Sequence, residues 1–488
     1  MWCGHRWVCG ENGCGMRTRH GGLDVSDVGW RRALTAAPGL VAGFVLCALW
    51  LVGAPAAGAR PRALRAVTVS APVPALASCH LNGDDNTPRI VVDPRNSRHI
   101  VMSYLTGDDR AAVVASSVDG GSRWSRRVLP GLTSCTGGPP GQLVDPSLNF
   151  APGGGLLASN GWVASIPPSG ARDHQAIREY INAAPRVGSA WSAPHDLERT
   201  QPDQRGFFAM SGARTLVETE RAHYLAPVGY TSATSTIAVL SSANAGRSWS
   251  KPVIAATSKR GHFVVAQGLL SNRGGVVAAL YGDVSLSSPA NAPTPVVMRV
   301  AISTNGGRSF KRDVRLGDCK NANDNRSVGC YLPHLVVAPD GSLLVAFVTA
   351  TPNGRSDLRL ARSTNGGRSW HLATIAHVAG GIPLVALAAR QHQIGVLAMQ
   401  DTTGPGKALR AVLWTAAAGR TRWSSQVLGG PYQQSTITHP HFDGQLGPEQ
   451  GLVALPDGFG AAFTVLAPAH LRDGEQDVVY VHVIEQPG

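Results

Sequence analysis

Glutamate is scarce in this chain, and one of the few, Glu449, stands just ahead of Gln450 and an apolar run, Leu452–Leu466. A carboxyl group at the mouth of a sheet can pass a proton as general acid or base. A second carboxyl, from Asp443 or Asp85, would complete the pair that glycoside hydrolysis uses. His439, His441 and Asp443 are all donors of metal-binding type, and histidines two apart on a strand face the same side. With no evident fourth ligand, contact with a bound ligand or loop capping is their expected use, and no metal site is expected. Asp84, Asp85 and Asn86 offer oxygens for Ca²⁺ but lack the spacing of a calcium loop, so Ca²⁺ is only a weak option as cofactor. Asp85, Asn86, Arg89, Asp145, Tyr331 and His334 open or precede apolar runs and join the candidate ligand contacts. No nucleotide-binding glycine loop or nucleophile elbow is evident: Gly153-Gly154-Gly155 falls between two apolar strands.

What must position these groups is a repeated turn. Ser117-Val118-Asp119-Gly120-Gly121-Ser122-Arg123-Trp124 returns as Ser242 to Trp249, Ser303 to Phe310 and Ser363 to Trp370, and decayed copies end at Trp191 and Trp423. The spacing, near 60 residues, is one four-stranded unit with its loops. The Asp or Asn (Asp119, Asn244, Asn305, Asn365) is expected to accept from backbone two residues on. The fifth-position Gly takes positive φ, and the aromatic (Trp124, Trp249, Phe310, Trp370) buries a ring against the neighbouring sheet. These are structural residues. A proline-opened apolar strand precedes most boxes, as at Pro88, Pro146, Pro333 and Pro383, with inner hairpins expected near 88, 146, 213, 266, 333, 383 and 448. The last unit, Leu452–Leu466 with Asp477–Glu485, lacks an outer strand that Arg65–Ser70 can supply from the N-terminal side. The reading is an all-β propeller of seven blades, or six if one inner hairpin is misassigned.

With 57 glycines and 33 prolines in 488 residues, turn formers dominate, and helical periodicity is hard to find beyond residue 60. The net charge of +13 is spread over loops, with none of the patches a nucleic-acid binder concentrates. Arg31-Arg32, an apolar stretch from Leu40 to Gly53 and Ala57-Gly58-Ala59 form an export signal, so residues 1–59 are expected to be leader and 60–488 the propeller. Membrane attachment would require the signal to remain uncleaved. Past that leader, four cysteines allow three pairings, and proximity favours Cys319–Cys330 and Cys79–Cys135 in an oxidising compartment.

The boxes, S-x-[DN]-x-G-x-x-[WF] repeated four times, resemble those of the sialidase superfamily, in particular bacterial secreted proteins with BNR (Asp-box) repeats. The resemblance covers roughly residues 85–466. It implies a propeller acting as a monomer on glycans, or an envelope protein as partner. It further implies three arginines on a substrate carboxylate, a Tyr–Glu nucleophile pair and an acid/base Asp. Here Asn86 stands where the first arginine belongs and Arg89 follows the proline. Asp108 and Asp109 occupy the acid/base region, and no tyrosine in the last blades has a nucleophile context. A divergent or absent sialidase activity is the expectation, with a carboxylate-using glycosidase as the alternative.

Overall fold

The computed structural model describes residues 62–484 apart from 64, 80–83, 165–177, 198–202, 212–213, 224–233, 273, 286–293, 322–332, 351–354, 383, 403–407, 434–449 and 467–475. The leader therefore lies outside the described residues. Seven antiparallel sheets follow one another along the chain. Their innermost strands, each at one end of its sheet, are Asn86–Asp93, Gln142–Phe150, Asp203–Ser211, His262–Ser271, His334–Val337, Leu384–Arg390 and Gly451–Leu455. Each touches the next, and Gly451–Leu455 touches Asn86–Asp93, so the sheets close into a seven-bladed ring.

The ring is sealed from the N-terminal side, as the sequence indicated. Val67 and Thr68 pair with Tyr480 and Val479 on the third strand of blade seven, Gln476–Ile484. The seal continues beyond the strand: Val69 N–H donates to the Val478 carbonyl at 2.8 Å, and Ser70 Oγ donates to Asp477 at 2.9 Å. Val69 and Leu76 are buried with Tyr104 and Tyr480 in a core shared by blades seven and one.

The boxes join the third and fourth strands of their blades. In all four, the serine hydroxyl accepts from the fifth-position glycine N–H at 2.8–3.0 Å. The Asp or Asn oxygen accepts from N–H groups three or four residues on, at 2.9–3.0 Å, rather than two on as expected. The shift has a chemical cause: the serine hydroxyl already caps the nearer N–H groups. Asn244, Asn305 and Asn365 also donate to Ser248, Ser309 and Ser369, a bond an aspartate cannot give. The Asp119 box has Arg123 at that place. Each glycine faces the preceding blade. A Cβ on Gly121 would sit 2.2 Å from the Tyr480 ring, on Gly246 2.8 Å from Leu157, and on Gly367 2.6 Å from Ile302. The boxes are thus wedges between blades as well as hairpin locks. Trp124 meets Tyr480 edge-on with ring centroids 5.4 Å apart, which carries the wedge across the seam.

One inner strand differs from expectation. The segment near residue 213, expected to open an inner hairpin, is the second strand of blade three, Arg214–His223, and the inner strand is Asp203–Ser211. Asp203, Gln204 and Arg205 hid it, because polar residues in succession read as loop.

Candidate functional site

Antiparallel order puts the starts of the inner strands and the loops between second and third strands at one end of the ring. The boxes and inner turns lie at the other. The first end is the mouth, and of the predicted site residues Asp85, Asn86, Asp109 and Asp145 stand there.

In blade one, Asn86 is buried and donates from Nδ2 to Asp109 at 3.2 Å and to the Asp84 carbonyl at 3.1 Å. Asp109 is 0% exposed, and its second carboxylate oxygen has no hydrogen-bond partner. Burial pushes its pKa up to about 7, opposed by the Asn86 bond and reinforced by Asp108, Asp84 and Asp145. Asp85 is also raised to about 7 by burial, against hydrogen bonds with Thr106 and Ser70 and with Asp477 and Asp84 adding. The backbone holds this knot: Asp84, Thr87, Asp108, Asp109 and Asp145 all have φ between +47° and +59°. Leu143 N–H donates to the Asp109 carbonyl at 2.7 Å, tying blade two to the same loop. Two carboxyls sit near neutrality here, yet neither Asp109 nor Asp85 presents a face to solvent.

Arg89 and His334 stand apart from that knot, lining the central channel from blades one and five. Pro88 lies inside the inner strand of blade one rather than at its first position, at a register shift between Asn86 and Arg89. Without an N–H, proline breaks the ladder, and the resulting bulge re-aims the side chains after it. Pro146 does the same in blade two, between Val144 and Ser147. Blades three and four shift too, at Gln204–Phe207 and Ala266–Gly268, whereas the inner hairpins of blades five, six and seven run in continuous register. The bulges bring Arg89, Ser147 and Gln267 to the channel, beside Asn149 and His334. The channel encloses about 550 Å³.

His334 Nδ1 accepts from the Leu387 N–H at 3.2 Å. Only a neutral ring accepts there, so the proton sits on Nε2. Burial, and then the Arg89 charge, depress its pKa to about 3. The ring is therefore a neutral hydrogen-bond donor through the physiological range.

Asp145 is half-buried at the mouth. Glu449, Asp443, His439, His441 and Tyr331 lie outside the described residues, so the carboxylate pair centred on Glu449 has no geometry here. Among the described residues, no three His, Cys, Asp or Glu side chains are placed to hold a metal. Cys79 and Cys135 are neighbours, the Cys79 thiol pointing at the Cys135 carbonyl at 3.8 Å, but both are free thiols here and the expected disulfide is not closed. Burial and the Cys79 thiol push Cys135 up to about 11. Cys330 lies outside the described residues. Sequence reasoning missed Ser147, Asn149 and Gln267, since a bulge, which decides what an inner strand turns to the axis, leaves no periodic trace.

No family model matches the chain, and no curated protein matches it. Solved structures match in fold. The GH93 α-L-arabinofuranosidase of Fusarium graminearum, solved with arabinobiose, is 12% identical with a TM-score of 0.45, over 75% of this chain and 98% of that one. The Trypanosoma rangeli sialidase is 14% identical with a TM-score of 0.45, over 82% of this chain and 54% of that one. The Penicillium chrysogenum α-L-arabinanase, solved with arabinobiose, is 13% identical with a TM-score of 0.44, over 75% and 98%. At these identities the likeness concerns the course of the chain alone.

Proposed function

We propose that this is an exported, sialidase-like propeller that binds glycan at the channel mouth and lacks exo-sialidase chemistry. One observation carries the second half of the reading. The position where the resemblance calls for a carboxylate-gripping arginine is Asn86, buried and engaged with Asp109 and Asp84. Arg89 reaches the channel instead. Support for glycan comes from the four boxes and from the polar side chains that the bulged inner strands bring to one open channel. Support for export comes from the residue 31–59 signal and from the Cys79–Cys135 juxtaposition. Among the described residues no helix is long and apolar enough to cross a membrane.

A hydrolase reading keeps one foothold, the two carboxyls poised near pH 7 in blade one. The experiment pairs a glycan array with fluorogenic glycosides, a sialoside and an arabinofuranoside among them, using the purified protein and Glu449→Gln. Glycan retention by both proteins without release of fluorophore is expected. Sialoside turnover that vanishes in Glu449→Gln would replace this reading with the hydrolase.

A further inference from the structure

Cations that lie scattered along the sequence come together in the fold. Six exposed arginines, Arg123, Arg186, Arg247, Arg308, Arg368 and Arg420, stand one in each box of blades one to six, at the end opposite the mouth. The turn does not require them. Blade one closes the same lock with Ser122 at the position that Arg247, Arg308 and Arg368 fill in theirs. None of the six is in an ion pair among the described residues. The acids of that end are engaged elsewhere: Asp93 with Arg95, Asp313 with Arg299, Asp340 with Arg362 and Asp457 with His482, while Asp119 caps its own turn. The mouth differs, with Asp84, Asp85, Asp108, Asp109 and Asp145 in one knot. The ring is thus polarised along its axis, basic at the boxes and acidic at the mouth.

We infer that the box end is a docking face for an anionic lipid bilayer. Each of these arginines occupies the same place in its blade, between the third and fourth strands, so the six stand at one level around the axis. A flat charged surface meets all of them at once. A linear polyanion or a nucleic-acid duplex lying across the ring meets only those under its path. Val118, 64% exposed in the first box, puts an apolar side chain at the same end, which the headgroup boundary of a bilayer can take up and a soluble polyanion cannot. Each basic residue held near an anionic leaflet adds about fivefold in affinity. Salt screens that gain. Attachment of this kind is peripheral, needs no spanning segment and leaves the mouth turned away from the lipid. It does not depend on glycan binding there.

The test is sedimentation of the purified protein with vesicles of equimolar phosphatidylglycerol and phosphatidylcholine, and with vesicles of phosphatidylcholine alone. A parallel titration uses soluble polyphosphate. Expected is binding to the anionic vesicles at about 0.1 M salt that is lost at about 1 M, with little binding to the neutral ones. Arg308→Gln with Arg368→Gln lowers that affinity about 25-fold, fivefold for each arginine. Lys259→Gln with Arg260→Gln removes the same charge from exposed positions at the mouth and changes the affinity by less than about twofold. Should the box variant fail to fold, the contrast between the two vesicles and the release by salt decide on the parent protein. Equal binding to both vesicles, an equal loss from the mouth variant, or polyphosphate bound more tightly than anionic vesicles at matched negative charge would each overturn the inference. The glycan array reads the other end of the molecule, so loss of one result leaves the other standing.

Discussion

Replacing Asp85 by Asn tests the reading of the seam where the ring closes. Asp85 sits buried between blade one and the closing strand, near Ser70 and Asp477, and its N–H donates to the Gln476 carbonyl at 3.0 Å. Its folded pKa of about 7 lies some three units above the ordinary 3.8. The fold therefore prefers the protonated acid, and this group's contribution to stability is most favourable below about pH 4. It falls as pH rises toward 7, because the unfolded chain ionises freely there. At about 1.36 kcal/mol per unit, ionising Asp85 costs the fold up to about 4 kcal/mol at pH 8. Asparagine matches the shape, can keep the Thr106 and Ser70 bonds, and carries no charge. Urea unfolding of both proteins, followed by tryptophan fluorescence at pH 4, 6 and 8, gives the difference directly, and other titrating groups cancel. Near-equality is expected at pH 4 and a variant more stable by a few kcal/mol at pH 8. A difference that stays flat with pH would refute the raised pKa, and a parent more stable at pH 8 would show the carboxylate to be stabilising.

The wedges and the cysteine pair can be tested in the same way. Gly121→Ala places a methyl 2.2 Å from Tyr480 at φ +94°, and should cost roughly 2–5 kcal/mol from overpacking and backbone strain together. Gly120→Ala, with nothing within 4 Å at φ +79°, should cost only about 1–2 kcal/mol in the same urea assay. Ser303→Ala leaves the Gly307 and Asn305 N–H groups without their acceptor and should lower stability by about 1–3 kcal/mol, measured against the parent in the same titration. Peptide mapping without reductant should yield a Cys79–Cys135 cross-linked pair. Closing that span of 56 residues should add up to about 4 kcal/mol, measured by unfolding with and without reductant.

The ring was legible because its cause is periodic. A serine, an Asx and a glycine at fixed offsets make the same turn wherever they occur, and an aromatic three places on reports the same burial. Even the closing strand could be read, since the last unit needs a partner and the Arg65–Ser70 run, within which Val67 and Thr68 pair, is left unclaimed. The channel was less legible. Arg89 was expected among the ligand contacts although simple alternation from Pro88 would turn it to the opposite face, and alternation fails at the Thr87–Pro88 bulge. Asp85 and Asn86 were expected to meet ligand, yet left-handed backbone at Asp84 and Thr87 accompanies their burial, and no spacing rule foretells it. His334 was found by its place after a proline, but its fixed tautomer depends on Leu387 of another blade, 53 residues away.

The seal between first and last blades sets an order of events. Ser70 and the Val478 N–H it accepts are 408 residues apart, so at about 5–20 residues per second the first half of that latch waits roughly 20–80 s for the second. Until then the Val67–Ser70 segment has no mate, and once the latch is opened again neither has the edge of Gln476–Ile484. At high concentration, whenever the latch is released by heat or denaturant, that edge will accept the same segment from a neighbouring molecule. Refolding yields should therefore fall with concentration faster than those of a ring whose ends meet within one hairpin.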